Sequence, residues 1–137
     1  MAGNITLEVV TPEKVVVSEE VQIAVAPGTL GEFGVLVGHT TFLTTLKTGT
    51  IHYTGTDGAQ RFIFTSGGFA EALPDRLTVL AESAERRRDI DTERAKAALE
   101  RAQKRMEKVT DDIDFTRAKA ALERALHRLK LAGTRHQ

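Results

Sequence analysis

The sequence predicts a β-sandwich or barrel followed by an α-helical hairpin, and three observations carry that reading. Up to about residue 85 apolar and polar side chains alternate in twos, and beyond it apolar residues recur in threes and fours. Charge divides at the same place. Residues 1–85 hold four basic and ten acidic side chains, a net of −6, whereas residues 86–137 hold fifteen basic and nine acidic, a net of +6, in a chain of formal net charge zero. Finally, one charged, alanine-rich segment is written twice: residues 89–105 and 112–128 agree at 13 of 17 positions, a step of 23 residues. At 137 residues the chain suits one domain, or one small domain with an appendage, and the charge split fits two parts that face different partners.

The strands come first. In "ITLEVV", Ile5, Leu7 and Val9 alternate with Thr6, Glu8 and Val10; in "VQIAVAP", Val21, Ile23 and Val25 share a face. "TIHYTGTDGAQRFIFTS" places two short strands around Asp57 and Gly58, a hairpin signal. "ALPDRLTVLAE" turns at Pro74 and Asp75 and then runs through Leu77 and Val79. About 85 residues is enough for one modest core.

The helices follow. Ala95, Ala98, Leu99, Ala102 and Met106 form one helical stripe, and Ala118, Ala121, Leu122, Ala125 and Leu129 repeat it. Asp91 and Asp114 are the expected N-caps. The polar connection "VTDD" is short, so the helices are expected to be antiparallel. The boundary between the parts falls in "ERRRDID", residues 85–91. An alanine seam allows close approach and favours helix, yet buries little apolar area, and isolated helices of this length are marginal in water. That composition suits an element able to move.

Several chemistries find no support. Cysteine is absent, which excludes disulfides, thiolate nucleophiles and zinc–thiolate sites. The four histidines, His39, His52, His127 and His136, lack metal-ligand spacing. The glycines of "GTLGEFGVLVGH" are followed by no lysine and by strand-like residues, so they mark turns and not a phosphate loop. No catalytic apparatus is visible, and the chain is not expected to be an enzyme. The start "MAGNITLEVV" lacks the layout of a signal peptide and the apolar runs are too short to span a bilayer, so a cytosolic protein or a soluble part of something larger is expected.

The arginines are patterned. Arg94, Arg101 and Arg105 share a helix face, as do Arg117, Arg124 and Arg128. An antiparallel hairpin brings Arg94 near Arg124 or Arg128 at the start of the first helix, where free N–H groups and the helix dipole favour anions and guanidinium forks suit phosphate. Asp91 and Glu85 are placed to accept from a base or ribose. Pattern alone leaves two readings open, a phosphate or nucleotide site and an ordinary solvated face, and it favours the second.

Four stretches tip that balance: "VVTPEKVV", "LGEFGVLVGHTTFLTTLKTG", "SGGFAEALPDRLTVLAESAE" and the twin-helix tail. Together they resemble the ε subunits of bacterial F-type ATP synthases along nearly the whole chain. The family loop is close to "GELGILPGHAPL"; here Phe33 stands for a leucine, Val37 for the common proline, and "HTTF" for "HAPL". The resemblance implies a ten-stranded β-sandwich, residues 1–85, that binds the rotor, and a regulatory two-helix hairpin, residues 86–137. It implies a non-catalytic subunit of the central stalk between γ and the ring of c subunits, on the cytoplasmic face of the bacterial cell membrane and peripheral to it. Glu32 and His39 match its rotor-interface positions. The tail is implied to lie folded, or to extend along γ into the α/β catalytic head and hinder ATP hydrolysis; its basic character suits acidic segments there.

The resemblance also implies ATP as a regulatory ligand, not as a catalytic cofactor. "IDTERA" fits the family motif I/L-D-x-x-R-A through Ile90, Asp91, Arg94 and Ala95, and Arg101, Arg124, Arg128 and Glu85 match the rest of its nucleotide site. The second copy, "IDFTRA", opens helix two in different surroundings and is not assigned a site. Two alternatives compete with this reading: a free-standing ATP sensor, and a nucleic-acid-binding adaptor. The second lacks interleaved aromatics, since Phe115 is the only one after Phe69, so no nucleic acid is expected as a partner.

Overall fold

The computed structural model describes residues 3–108 and 111–133. It divides into two compact units, Met1–Arg87 and Arg88–Gln137. The first holds β1 (Ile5–Val10), β2 (Val15–Gly28), β3 (Gly31–Val35), β4 (Phe42–Thr45), β5 (Gly49–Gly55), β6 (Gln60–Ser66), β7 (Phe69–Leu73), β8 (Arg76–Leu80) and β9 (Ser83–Arg86). They pair in the order β4-β7-β8-β1-β2-β5-β6-β9, with β3 also on β2. Nine strands are described where the resemblance implies ten. The long β2 accounts for the economy: its fourteen residues pair β1 along the first half, then β3 and β5 along the second.

The expected alternation appears on β1 and β8. Ile5, Leu7 and Val9 are buried on β1, Leu77 and Val79 on β8, and the two strands run parallel with Leu7 opposite Leu77 and Val9 opposite Val79. In the β5–β6 hairpin Gly55 N–H donates to the Ala59 carbonyl at 2.9 Å, and the Asp57 carboxylate accepts from Ala59 N–H at 3.0 Å. Gly58 there has φ +82, which a side chain would resist. The Pro74 and Asp75 turn joins β7 to β8, with Leu73 opposite Arg76.

On β2 the expectation needs correction. Val21 is buried, but a register shift between Val21 and Ile23 reverses the alternation, so Ala24 and Ala26 point inward while Ile23 and Val25 are half-buried. A bulge moves every later side chain to the other face, and apolar spacing alone does not reveal it.

The chain passes into the second unit within a 3₁₀ turn, Arg87–Asp89; Ile90 and Asp91 follow, then α1 (Thr92–Glu107) and α2 (Asp112–Gly133). Asp91 caps α1, its carboxylate accepting from Arg94 N–H at 3.0 Å. Helix α2 starts earlier than expected: Asp111, not Asp114, accepts from the backbone, taking Asp114 N–H at 2.8 Å. Of several nearby aspartates, the first in position ends the turn, and Asp112 and Asp114 then sit in the first helical turn, where the dipole favours them. The residues buried in the two helices are Ala95, Ala102, Ala118, Ala125 and Leu131. Residues 109 and 110 of the expected connection, and His136, lie outside the described residues.

Candidate functional site

Strand β3 carries Glu32, and the loop that follows it to β4 carries His39. Glu32 is exposed on β3, and its carboxylate lies 3.9 Å from His52 Nε2 on β5. His39 is half-buried. Its Nδ1 stands 2.7 Å from the Thr40 carbonyl oxygen, and because a carbonyl only accepts, Nδ1 carries the proton and Nε2 is left to accept or to be protonated. Its ring packs 5.1 Å from that of Phe42, which meets Phe33 edge-on at 5.0 Å. Phe33 and Phe42 are both departures from the family loop, and the structure pairs them: one ring's edge fills the face of the other. The loop is tied down by Gly38 N–H to the Pro74 carbonyl, 2.6 Å, and His39 N–H to the Leu36 carbonyl, 3.1 Å.

Next to this loop the sandwich leaves apolar side chains uncovered. Phe69 on β7 is 53% exposed and lies directly opposite Leu80 on β8, 55% exposed; Leu43 on β4 is 70% exposed. A shallow groove of about 620 Å³ runs beside them, lined by Pro12, Thr45, Phe69, Leu80 and Glu82. Strand periodicity does not flag this strip, because the outward apolar residues of a strand look alike whether or not something covers them. "GGFAEAL" nonetheless contained the signal: a phenylalanine out of phase with the buried Ala70 and Ala72.

The nucleotide-site residues expected from the sequence fall in both units. Glu85 is half-buried on β9, opposite Phe64 on β6. Ile90 is buried, Asp91 caps α1, and Ala95 lies in the helix seam. Arg94 and Arg101 are exposed on α1, while Arg124 and Arg128 are half-buried on α2. The four buried alanines fix the register. Ala95 and Ala125, like Ala102 and Ala118, are symmetric about residue 110, so antiparallel packing sets each pair level. That register brings Arg124 and Arg128 to the level of the first turn of α1 and sends Arg117 toward the other end. Among the described residues no ion pair holds Arg94, Arg101 or Arg124; Lys96 pairs with Glu93 on the same helix, at 3.7 Å and exposed. One Asp91 oxygen is already engaged by Arg94 N–H, so its carboxylate suits a hydrogen-bond donor such as a base or ribose and repels phosphate.

An uncovered apolar strip on a β-sandwich, joined to an arginine-bearing helical hairpin, defines a binding module with a helical appendage. Two family models then meet at residues 87 and 88. One, described as ATP synthase, Delta/Epsilon chain, beta-sandwich domain, matches residues 4–87, and the other, ATP synthase, Delta/Epsilon chain, long alpha-helix domain, matches residues 88–133. The chain belongs to the delta/epsilon chain family of ATP synthases. It is 66% identical over 107 residues to the ATP synthase epsilon chain of Desulfatibacillum aliphaticivorans, covering 78% of this chain and 76% of that one. It is 53% identical over 132 residues to that of Syntrophobacter fumaroxidans, covering 96% and 98%. Among solved structures it resembles a chain of the Euglena gracilis mitochondrial ATP synthase, seen with OSCP, F1 and the c-ring, at a TM-score of 0.75 and 25% identity over 88% of this chain and 76% of that one. Membership of this family makes the chain a non-catalytic stalk subunit. No described helix is long and apolar enough to cross a membrane.

Proposed function

We propose that this chain is the regulatory rotor subunit of a bacterial F-type ATP synthase, peripheral to the cytoplasmic face of the cell membrane through its complex. The sandwich joins γ to the c-ring, with the Leu43, Phe69 and Leu80 strip and the Glu32 and His39 loop as its contact surfaces. The hairpin restrains ATP hydrolysis when it extends into the catalytic head, and ATP bound to Glu85, Ile90, Asp91, Arg94, Ala95, Arg101, Arg124 and Arg128 holds it compact. The hairpin register carries this reading: two α2 arginines level with the α1 N-terminus, across a seam of methyl groups. A ligand that bridges both helices there adds stability that the seam alone lacks.

Calorimetric titration with ATP tests it. Losing one charge-assisted hydrogen bond removes roughly 1.5–3 kcal/mol, which is about ten- to a hundredfold in affinity. Arg94→Ala and Arg128→Ala are expected to weaken ATP by that factor and Arg117→Ala to leave it unchanged, with helicity intact in all three. Absence of binding by the unmodified chain at millimolar ATP, or damage by Arg117→Ala, refutes the site.

A further inference from the structure

One end of the sandwich interior is polar. Glu19 on β2 stands between the inward Val17 and Val21, Tyr53 on β5 between the buried Ile51 and Gly55, and Arg86 on β9 two residues after the buried Ala84. Alternation thus turns all three side chains inward. Arg86 Nε donates to the Val16 carbonyl at 3.3 Å and Nη1 donates to the Tyr53 hydroxyl at 3.5 Å. Tyr53 is 2% exposed. Its burial, and then the Glu19 carboxylate beside it, push the hydroxyl up to about 12. It therefore stays protonated, accepting from Arg86 and turning its own hydrogen toward Glu19, so each group polarises the next. One Glu19 oxygen is buried with no hydrogen-bond partner among the described residues, which makes the positive charge of Arg86 nearby the more valuable.

Arg86 also ends β9. That strand has four residues, sits at the edge of the sheet, pairs with β6 alone, and stops one residue before the first unit does. So short an edge strand is weakly held by its ladder. We propose that Arg86 is a stop: it pins the end of β9 into the sandwich, so that the chain comes away after it and not within it. Its neighbour has a different role, since the Arg87 guanidinium lies 5.8 Å over the ring of Phe62, outside this cluster. Pinning also holds Glu85, one residue earlier and facing the other way, at a fixed place opposite Phe64. The pin is a property of the sandwich; only its use as the fixed end of a moving tail rests on the function proposed above.

Amide hydrogen exchange on the full chain tests it. In Arg86→Met, which keeps the apolar stem, the β9 amides are expected to exchange about tenfold faster, with the β1, β7 and β8 amides unchanged and Arg87→Met without effect. Unchanged β9 exchange, equal acceleration in Arg87→Met, or uniform acceleration of every strand overturns the proposal. If Arg86→Met does not fold, Tyr53→Phe removes only the hydroxyl: faster exchange confined to β9 supports the pin, and any other pattern overturns it. ATP titration of the same variants keeps the two ideas separate, because a chain that binds no ATP still reports on β9.

Discussion

The sandwich and the hairpin solve the problem of burial with different side chains. The fully buried core of the sandwich includes Tyr53, Ile5, Leu7, Ile51, Ile63 and Leu77, whereas the helices bury four alanines and Leu131. A buried Leu, Ile or Phe contributes about 1.5–3 kcal/mol, and a methyl only a fraction of that. The strands are therefore held by what they enclose. The helices are held largely by their own hydrogen bonds and caps, which they keep whether or not they are packed together. An element that must leave and return as a helix needs that division of labour: strong local propensity and a weak seam.

The comparison breaks most visibly in the sandwich. Leu77 has no exposure and lies opposite Leu7 and Ala72. Leu77→Ala is expected to lower the stability of the sandwich by about 2–5 kcal/mol. Tyr53, the single tyrosine in a chain without tryptophan, reports on that unit by fluorescence, and ellipticity at the helix minimum reports on the other. The tyrosine transition should move to lower denaturant while the helical signal moves less. Coincident shifts of both would show that the two units unfold as one, with no difference in how they are held.

The next test is at the helix ends. Asp111→Ala removes the bond to Asp114 N–H and should cost α2 about 1 kcal/mol, read as lost ellipticity, while Asp114→Ala should cost little. Asp91→Ala should cost α1 a similar amount without ATP and more with it. Equal effects at Asp111 and Asp114 would return the start of α2 to where the sequence had placed it.

That misplacement shows what a sequence can carry. The parity of β1 and β8, the β5–β6 turn and the alanine seam were all legible, because each follows from a local period or a single turn residue. The parity of β2 was not, because its bulge depends on two different neighbours pairing its two halves. The four-residue β4 and β9 show too few alternations to count and exist through β7 and β6. At the candidate site the arginine spacing was legible. The pairing of Phe33 with Phe42, the inward Arg86 and the open strip at Phe69 needed the fold, since each joins residues distant in sequence.

The smallest effect expected sits in the sandwich's own surface turn, and it sharpens the contrast at the level of charge. Asp57 accepts from Arg61 through both carboxylate oxygens, at 3.0 and 3.3 Å, and from Ala59 N–H at 3.0 Å. The hairpin's exposed pair, Lys96 and Glu93, is a single 3.7 Å approach with no backbone donor. The hydrogen bonds from Arg61, and then the one from Ala59, hold the Asp57 carboxyl down at about 2. A carboxyl lowered by folding stabilises the fold above its unfolded value near 4, and that contribution is lost as pH falls through about 2. The turn is exposed and water screens the pair, so the effect on overall stability is slight. Asp57→Asn should therefore be a little less stable than the unmodified chain at pH 6, and the difference should close as pH falls from 4 to 2. Carboxyl chemical shifts give the direct reading: Asp57 should titrate with a midpoint near 2. A stability gap that stays constant down to pH 2, or an Asp57 midpoint near 4, would mean that the turn is no better fixed than the helix surface.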